Sequence, residues 1–261
     1  MSARVAVLVF PGTNSEEETL RACHASDLDA QIVTWTASAE NVRAFDAYVL
    51  PGGFAYEDRV RAGAIAAHDS LMESVHVGAA RGKLVLGICN GAQILLEAGL
   101  APDLDGARRP QAGFTRNVPG GRYRSTHVHI KLAITPGRCA ISAALPEHVI
   151  IPAWASHGEG RLAADPSTLA RMQSHEHLAF VYCDRDGVTT PESIPNGSAL
   201  GVAAVTNRAG NVLAIMPHPE RDAWTFMHTD ATRWNARNDQ AAMLASSGGI
   251  ALFKSFAAAL R

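Results

Sequence analysis

The chain has little net charge, no long apolar run and no paired cysteines, and each shortage excludes a class of function. Its 261 residues carry a formal charge of −2, so the electrostatic footprint of a nucleic-acid or membrane-surface binder is missing. The N-terminal apolar run, Val5 to Phe10, is too short for a signal peptide or a membrane span. We therefore expect chemistry on a small molecule, with no nucleic acid or membrane as partner.

The cysteine content indicates the cellular compartment, and the chain length limits the number of domains. Four cysteines are present, none in a C-x-x-C pair, and a chain of this size does not depend on disulfides. Hydrophobic residues make up 47% of the chain, which is ample for a buried core. We expect a cytoplasmic protein with one domain over residues 1–261, although the length would also allow two small domains.

Apolar runs alternate with helical segments through the first part of the chain. The runs are Val5–Phe10, "AQIVTW", "AYVL" and "KLVLGI", and the predicted helices cover 15–26 and 64–81. This alternation predicts parallel strands joined by helices, and a capping box of Ser15 and Glu18 is expected at the first helix. Five further strand candidates precede a final helix, 248–261. The fold class is therefore α/β, with an open, mostly parallel sheet, helices on both faces and a strand-rich second half.

The stretch "GICNG" places Cys89 between an apolar run and a helical segment, with Gly87 and Gly91 on either side. This is the layout of a nucleophile on a strained strand-to-helix turn. The helix N-terminus beneath the sulfur would favour the thiolate. A buried structural cysteine is the alternative.

A nucleophilic thiol needs a base and a group that orients the base, and "MPHPE" offers both. In an extended backbone His218 and Glu220 point to the same side, and the flanking prolines favour that backbone. We expect Glu220 to hold His218, and His218 to carry the proton between Cys89 and the leaving group. The alternative is a surface turn with a solvated ion pair.

Acyl transfer also needs preorganised N–H donors for the oxyanion. "YVLPGGFAY" follows a predicted strand, and its glycines allow the backbone to approach a substrate closely. We expect the N–H groups of Gly53 and Asn90 to be these donors. An ordinary strand-to-loop turn would use Pro-Gly-Gly equally well.

Five motifs in order carry a family resemblance: "PGGFAYEDRVRAGAIA", "GICNGAQIL", "SHGEG", "PNGS" and "MPHPER". Together they resemble the glutaminase subunits of phosphoribosylformylglycinamidine synthase, which are triad-type, class I glutamine amidotransferases. The resemblance extends from Phe10 to Arg221. It implies a flavodoxin-like α/β fold that hydrolyses glutamine to glutamate and ammonia for purine biosynthesis.

The resemblance places the triad on Cys89, His218 and Glu220, in agreement with the reading from the residues. It also implies that Gln93 contacts the substrate glutamine and that His157 and Gly158 line the site, although "SHGEG" could be a glycine-rich turn. It implies a synthetase subunit and a small accessory subunit as partners. No P-loop motif is present, so no cofactor is expected in this chain, and ATP and magnesium are expected on the synthetase.

Three positions depart from the family pattern: Ser15 stands where Cys is common, Glu57 where Gly is common and Ala92 where an aromatic residue is common. Residues 222–240 also form a longer link to the last helix than usual. Trp224, Phe226 and Trp234 suggest a lid or an interface there, and a packed surface excursion is the alternative.

Two His-x-His pairs and an arginine-rich run lie outside these motifs. His127 with His129, and His175 with His177, have same-face spacing, but no Cys or carboxylate cluster accompanies them, so no metal is expected. An arginine-rich run, 108–124, could dock an acidic partner or a phosphate, or be a solvated loop. The alternative functions are another triad glutaminase, a PfpI-type cysteine hydrolase on the same scaffold, and an inactive scaffold subunit.

Overall fold

The computed structural model describes residues 2–229 and 240–261. Its strands are β1 Arg4–Val9, β2 Asp29–Thr34, β3 Ala47–Leu50, β4 Leu84–Ile88, β5 Gly113–Thr115, β6 Arg124–Leu132, β7 Ile150–His157, β8 Arg161–Ala163, β9 Leu178–Cys183, β10 Val202–Thr206 and β11 Val212–Ile215. Its α-helices are α1 Glu16–His24, α2 Ala39–Arg43, α3 Ser70–Ala80, α4 Asn90–Glu97, α5 Pro166–Ser174, α6 Gln240–Met243 and α7 Ile250–Ala258.

Nine of these strands form one sheet in the order β2-β1-β3-β4-β11-β10-β9-β6-β7. Strands β2, β1, β3, β4 and β11 pair in parallel, and the pairs from β11 through β10, β9 and β6 to β7 are antiparallel. The α/β class is confirmed, and the strand-rich second half proves to be the antiparallel half of a mixed sheet. Because β11 lies beside β4, strands from both halves of the chain share one sheet, and a single domain over residues 1–261 stays a prediction.

Burial follows the position of each strand in the sheet. Strands β3, β4, β10 and β11 are buried along their whole length, as continuous apolar runs predict. Strands β6 and β7 alternate between buried and half-buried residues along much of their length, since they lie at the sheet's antiparallel end. From α7, Leu252, Phe253 and Phe256 join the core as predicted.

Some local predictions were wrong. The hydroxyl of Ser15 forms no capping bond on α1, because it donates to Asn14 Oδ1 and accepts from Arg221. The helix predicted from residue 64 begins at Ser70, where Asp69 caps its first turn. Among the residues that the structure describes, no helix is long and apolar enough to cross a membrane.

Candidate active site

Cys89 occupies the turn between β4 and α4 in a strained conformation. Its φ of 52° and ψ of −106° lie in a region that side-chain-bearing residues rarely adopt. Its N–H donates to the Ile215 carbonyl oxygen at 2.8 Å, so the turn is anchored to the end of β11. The strand, the strained turn and the helix predicted around Cys89 are confirmed.

The two glycines around Cys89 let the helix approach the sheet. A Cβ on Gly91 would lie 1.9 Å from the Leu50 carbonyl oxygen. A Cβ on Gly87 would lie 2.7 Å from the Gly91 carbonyl oxygen. Side chains at these positions would push α4 away from β3 and β4, so the glycines set the depth at which Cys89 lies.

The side chains of His218 and Glu220 contact each other in the segment that follows the carboxyl end of β11. His218 is extended, and its backbone exchanges hydrogen bonds of 2.8 and 3.1 Å with Trp154 of β7. Its Nδ1 lies 2.5 Å from Glu220 Oε1, and both side chains are buried. The chain does not stay extended, because Glu220 lies in a 3₁₀ turn, Pro219–Asp222, but the predicted contact forms nonetheless.

The electrostatics of this pair favour an imidazolium. Burial alone would lower the pKa of His218, but the negative charges of Glu220 and Cys89 and its hydrogen bonds to both outweigh burial and raise that pKa to about 9. The thiol of Cys89 also lies 3.6 Å from the Ser156 carbonyl oxygen. Cys89, His218 and Glu220 therefore form one connected chain of thiol, imidazole and carboxylate.

The Pro-Gly-Gly turn lies against this chain. A Cβ on Gly52 would be 2.5 Å from His218 Cε1 and 3.3 Å from Cys89 Cβ. The Gly52 carbonyl accepts hydrogen bonds from Asn14 and Ser15, but the N–H groups of Gly53 and Asn90 have no acceptor within residues 2–229 and 240–261. Two unpaired donors next to the thiol are what the predicted oxyanion site requires.

Gln93 belongs to a network that ties α4 to two loops. Its Oε1 accepts from Asn90 Nδ2 at 2.8 Å, and its Nε2 donates to the Glu159 carbonyl oxygen at 2.6 Å. Asn90 also accepts from the Ala55 N–H at 2.9 Å and donates to Asp58 at 3.0 Å. Gln93 thus holds the 158–160 turn against the helix, and its predicted contact with substrate stays a prediction.

His157 lies close to His218 but is not paired with it. Its side chain is buried, and neither ring nitrogen has a hydrogen-bond partner among the residues described. Burial, followed by the positive charge of His218, lowers the pKa of His157 to about 4, which keeps it neutral. The carbonyl oxygen of the neighbouring Gly158 accepts a hydrogen bond from the Asn117 N–H at 2.9 Å, so this carbonyl stabilises the local backbone.

Two charged groups near the site, Arg221 and Asp58, lie in motifs that carry the family resemblance, but the sequence alone assigns them no role. Arg221 donates to Glu18 at 2.8 Å and to Ser15 at 2.9 Å, and so connects α1 to the turn that carries Glu220. The pKa of Asp58 is raised to about 6, chiefly by burial and then by the charge of Glu159. Only its hydrogen bond from Asn90 marks Asp58 as part of the site.

The loop that carries Asp58 has an unusual backbone. Tyr56, Glu57 and Asp58 have φ values of 54°, 58° and 52°, and Val60 has 73°. Glu57 therefore stands in a conformation that suits the Gly common at its position in the family. The hydrogen bond from the Ala55 N–H to Asn90 Oδ1, together with the rest of the loop, stabilises this run of left-handed residues.

A cleft of about 570 Å³ opens beside Ser156, and Glu18, Arg21, Trp154, Arg221 and Phe226 are among its other lining residues. Phe226 stacks on Trp224, with ring centroids 6.5 Å apart, and is 44% exposed. The start of the predicted lid or interface segment thus borders a cleft that Ser156 also lines, and the Ser156 carbonyl contacts the Cys89 thiol. Trp234 lies outside the described residues.

Comparisons with known proteins agree with this geometry. The model of the CobB/CobQ-like glutamine amidotransferase domain matches residues 2–258. The PurQ subunit of phosphoribosylformylglycinamidine synthase from Symbiobacterium thermophilum is 46% identical over 84% of this chain and 87% of its own. The corresponding subunit from Salinibacter ruber is 39% identical over 89% of this chain and 94% of its own.

Solved structures show the same fold. A chain of PurLQS from Thermotoga maritima superposes with a TM-score of 0.75 at 25% identity, with both chains fully covered. The glutaminase domain of Trypanosoma brucei CTPS gives 0.58 at 13% identity, over 99% of this chain and 94% of its own, and shows the fold alone. The chain belongs to the CobB/CobQ-like glutamine amidotransferases and, within them, to the family of the PurQ subunits of phosphoribosylformylglycinamidine synthase.

Proposed function

We propose that this chain is the glutaminase subunit of a phosphoribosylformylglycinamidine synthase, with Cys89, His218 and Glu220 as its catalytic triad. Family membership supports the activity. The observation that supports the residues is the contact between Cys89 on its strained turn and the buried pair of His218 and Glu220. Triads are recognised by such geometry and by the role of each group.

In the first half of the reaction the Cys89 sulfur attacks the side-chain carbonyl carbon of glutamine. The oxygen of the tetrahedral intermediate accepts hydrogen bonds from the N–H groups of Gly53 and Asn90. His218, protonated beside the Glu220 carboxylate, gives its proton to the amide nitrogen. The carbon–nitrogen bond breaks, ammonia leaves, and a glutamyl thioester remains on Cys89.

In the second half water attacks the thioester carbon while His218 takes a proton from it. The same N–H groups hold the second oxyanion, the carbon–sulfur bond breaks, and glutamate is released. Glu220 keeps the imidazole oriented in both steps. Gln93, His157 and Gly158 complete the substrate pocket in this proposal, because Gln93 holds the 158–160 turn against α4 and the buried His157 ring lies near His218 with no hydrogen-bond partner among the described residues.

The ammonia is delivered to a separate synthetase subunit, which converts formylglycinamide ribonucleotide to formylglycinamidine ribonucleotide in purine biosynthesis. The likeness to a chain of PurLQS supports assembly with the synthetase and a small accessory subunit. We place ATP and magnesium on the synthetase and no cofactor in this chain. All four cysteines are free and buried, which agrees with the reduced, cytoplasmic setting that we propose.

The test is glutamate release from glutamine by the purified chain, alone and with the synthetase and accessory subunits, formylglycinamide ribonucleotide and ATP. The proposal expects release that the complete system stimulates, since a glutaminase without an acceptor wastes glutamine. Release indifferent to these partners would argue for another triad glutaminase. Hydrolysis of peptides or esters in place of glutamine would favour the cysteine-hydrolase alternative.

A further inference from the structure

Three potential metal ligands from two segments of the chain meet near Trp154, whose ring lies 5.6 Å from that of His127. His127 lies in β6, Asp222 ends the 3₁₀ turn that carries Glu220, and His228 follows six residues later. One ligand atom from each lies within 4.8 Å of the other two. No pattern in the sequence joins these residues, because the second histidine and the carboxylate come from a different segment than His127.

The distances between the donor atoms are close to the distances between ligand atoms on a bound metal ion. His127 Nε2 lies 2.7 Å from Asp222 Oδ2, and the rings of His127 and His228 have centroids 5.0 Å apart. Ligands on a tetrahedral zinc ion at bond lengths of about 2.0–2.1 Å lie roughly 3.3 Å from one another. Small side-chain rotations would therefore bring all three donors onto one ion.

The carboxylate is oriented by its surroundings. Ser247 Oγ donates to Asp222 Oδ1 at 2.6 Å, which leaves Oδ2 directed at His127. The Gly249 N–H donates to the Asp222 carbonyl at 2.9 Å, so the backbone is held as well. Metal-ligating carboxylates are commonly held by hydrogen bonds of this kind.

We propose that His127, Asp222 and His228 bind one divalent transition-metal ion of the zinc class, with water in the fourth position. Two imidazoles and one carboxylate suit zinc or cobalt, whereas magnesium prefers an all-oxygen site. The ion joins the segment after Glu220 to β6. This inference replaces the expectation of no metal, which rested on the lack of a carboxylate near His127 and His129 in the sequence, and it does not depend on the glutaminase.

The test is a titration of the full chain, after treatment with a chelator, with Zn²⁺ by calorimetry and with Co²⁺ by its visible absorption. The Cys89→Ala variant serves as the parent protein, so that the thiolate cannot bind the ion. We expect one equivalent of Zn²⁺, the absorption bands of tetrahedral Co²⁺, and no binding of Mg²⁺. His228→Ala should weaken Zn²⁺ binding by at least about tenfold, because it removes one of three protein ligands.

His175→Ala is the matched control, because His175 belongs to the other His-x-His pair and is exposed. Its neighbour His177 uses Nδ1 on the Thr206 carbonyl, so that pair is occupied structurally. The control should bind Zn²⁺ like the parent protein, and at equal concentration Zn²⁺ should raise the thermal midpoint of the control more than that of His228→Ala. Zn²⁺ binding that is absent, or equally strong in both variants, would overturn the proposal and leave His127 and Asp222 as a hydrogen-bonded pair.

Discussion

The imidazole of His218 holds its proton because two negative groups surround it in a buried place. Replacing Glu220 with Gln keeps a hydrogen-bond acceptor but removes the charge that raises the pKa of His218. We expect kcat for glutamate release to fall roughly 10²-fold or more, since the imidazole loses the charge that fixes its tautomer and raises its proton affinity. Glu40→Gln, an exposed change on α2, is the control and should leave kcat unchanged.

Glu220→Gln should also change how the stability of the fold depends on pH. The pKa of His218 rises from about 6.5 when unfolded to about 9 when folded, so its protonation stabilises the fold. This contribution is fully present below about pH 6.5 and is lost as the pH rises through about 9. Urea unfolding across that window should show a decline in the wild type that is smaller in Glu220→Gln. Equal declines in both would show that Glu220 does not set the pKa.

Gly53 has a φ of 154°, and a Cβ there would lie 2.6 Å from Thr13 Cα and 2.8 Å from the Asn14 nitrogen. Gly53→Ala should therefore displace the turn that holds one oxyanion donor, and lower both the unfolding temperature and kcat. Gly82→Ala is the matched control, because Gly82 also has a positive φ, 84°, but open space around its Cα. The control should lose about 1 kcal/mol of stability and keep its kcat. Retained kcat in Gly53→Ala would contradict the role of this turn.

Among the elements, helix α4 organises the site through side chains as well as through its N-terminus. Gln93 joins Asn90 to the Glu159 carbonyl, and Asn90 in turn holds the 55–58 loop. We expect Gln93→Ala to raise KM for glutamine at least about tenfold, because the 158–160 turn loses its attachment and the pocket loses a polar group. Gln173→Ala on exposed α5 is the control, measured in the same steady-state assay. An unchanged KM would remove Gln93 from the substrate pocket.

The elements that the sequence predicts well are those with strong local signals. Strands β3, β4 and β11 are continuous apolar runs between turn residues, and Cys89 lies between two glycines at the end of such a run. Helix α5 and strand β8 escape prediction, because α5 buries only Met172 and β8 has three residues. A short or largely exposed element carries little periodic signal.

In the whole molecule, contacts between segments that are far apart in the sequence cannot be predicted from sequence patterns. The contact of His218 with Glu220 could be predicted, because the two residues are neighbours in sequence. The bonds from Arg221 to Glu18 and Ser15, and from His127 to Asp222, depend on how the sheet and α1 are assembled. The antiparallel half of the sheet brings β7 beside His218, and this order cannot be read from strand patterns alone.

The same assembly gives two of the four thiols surroundings that disfavour the thiolate. Burial, with a further contribution from Glu220, raises the pKa of Cys23 to about 12, and burial raises that of Cys183 to about 11. Neither is a competent nucleophile near neutral pH. Cys89 alone among these three lies at a helix N-terminus and contacts the His218 imidazole.

The most direct test of the account is to trap the covalent intermediate. Protein mixed with isotopically labelled glutamine is quenched in acid within one turnover, digested and analysed by mass spectrometry. We expect a glutamyl group on the peptide that carries Cys89, and none in Cys89→Ala that keeps the wild-type circular dichroism and melting temperature. A glutamyl group on another cysteine, or labelled glutamate released without any adduct and undiminished in Cys89→Ala, would contradict the assignment of Cys89 as the nucleophile.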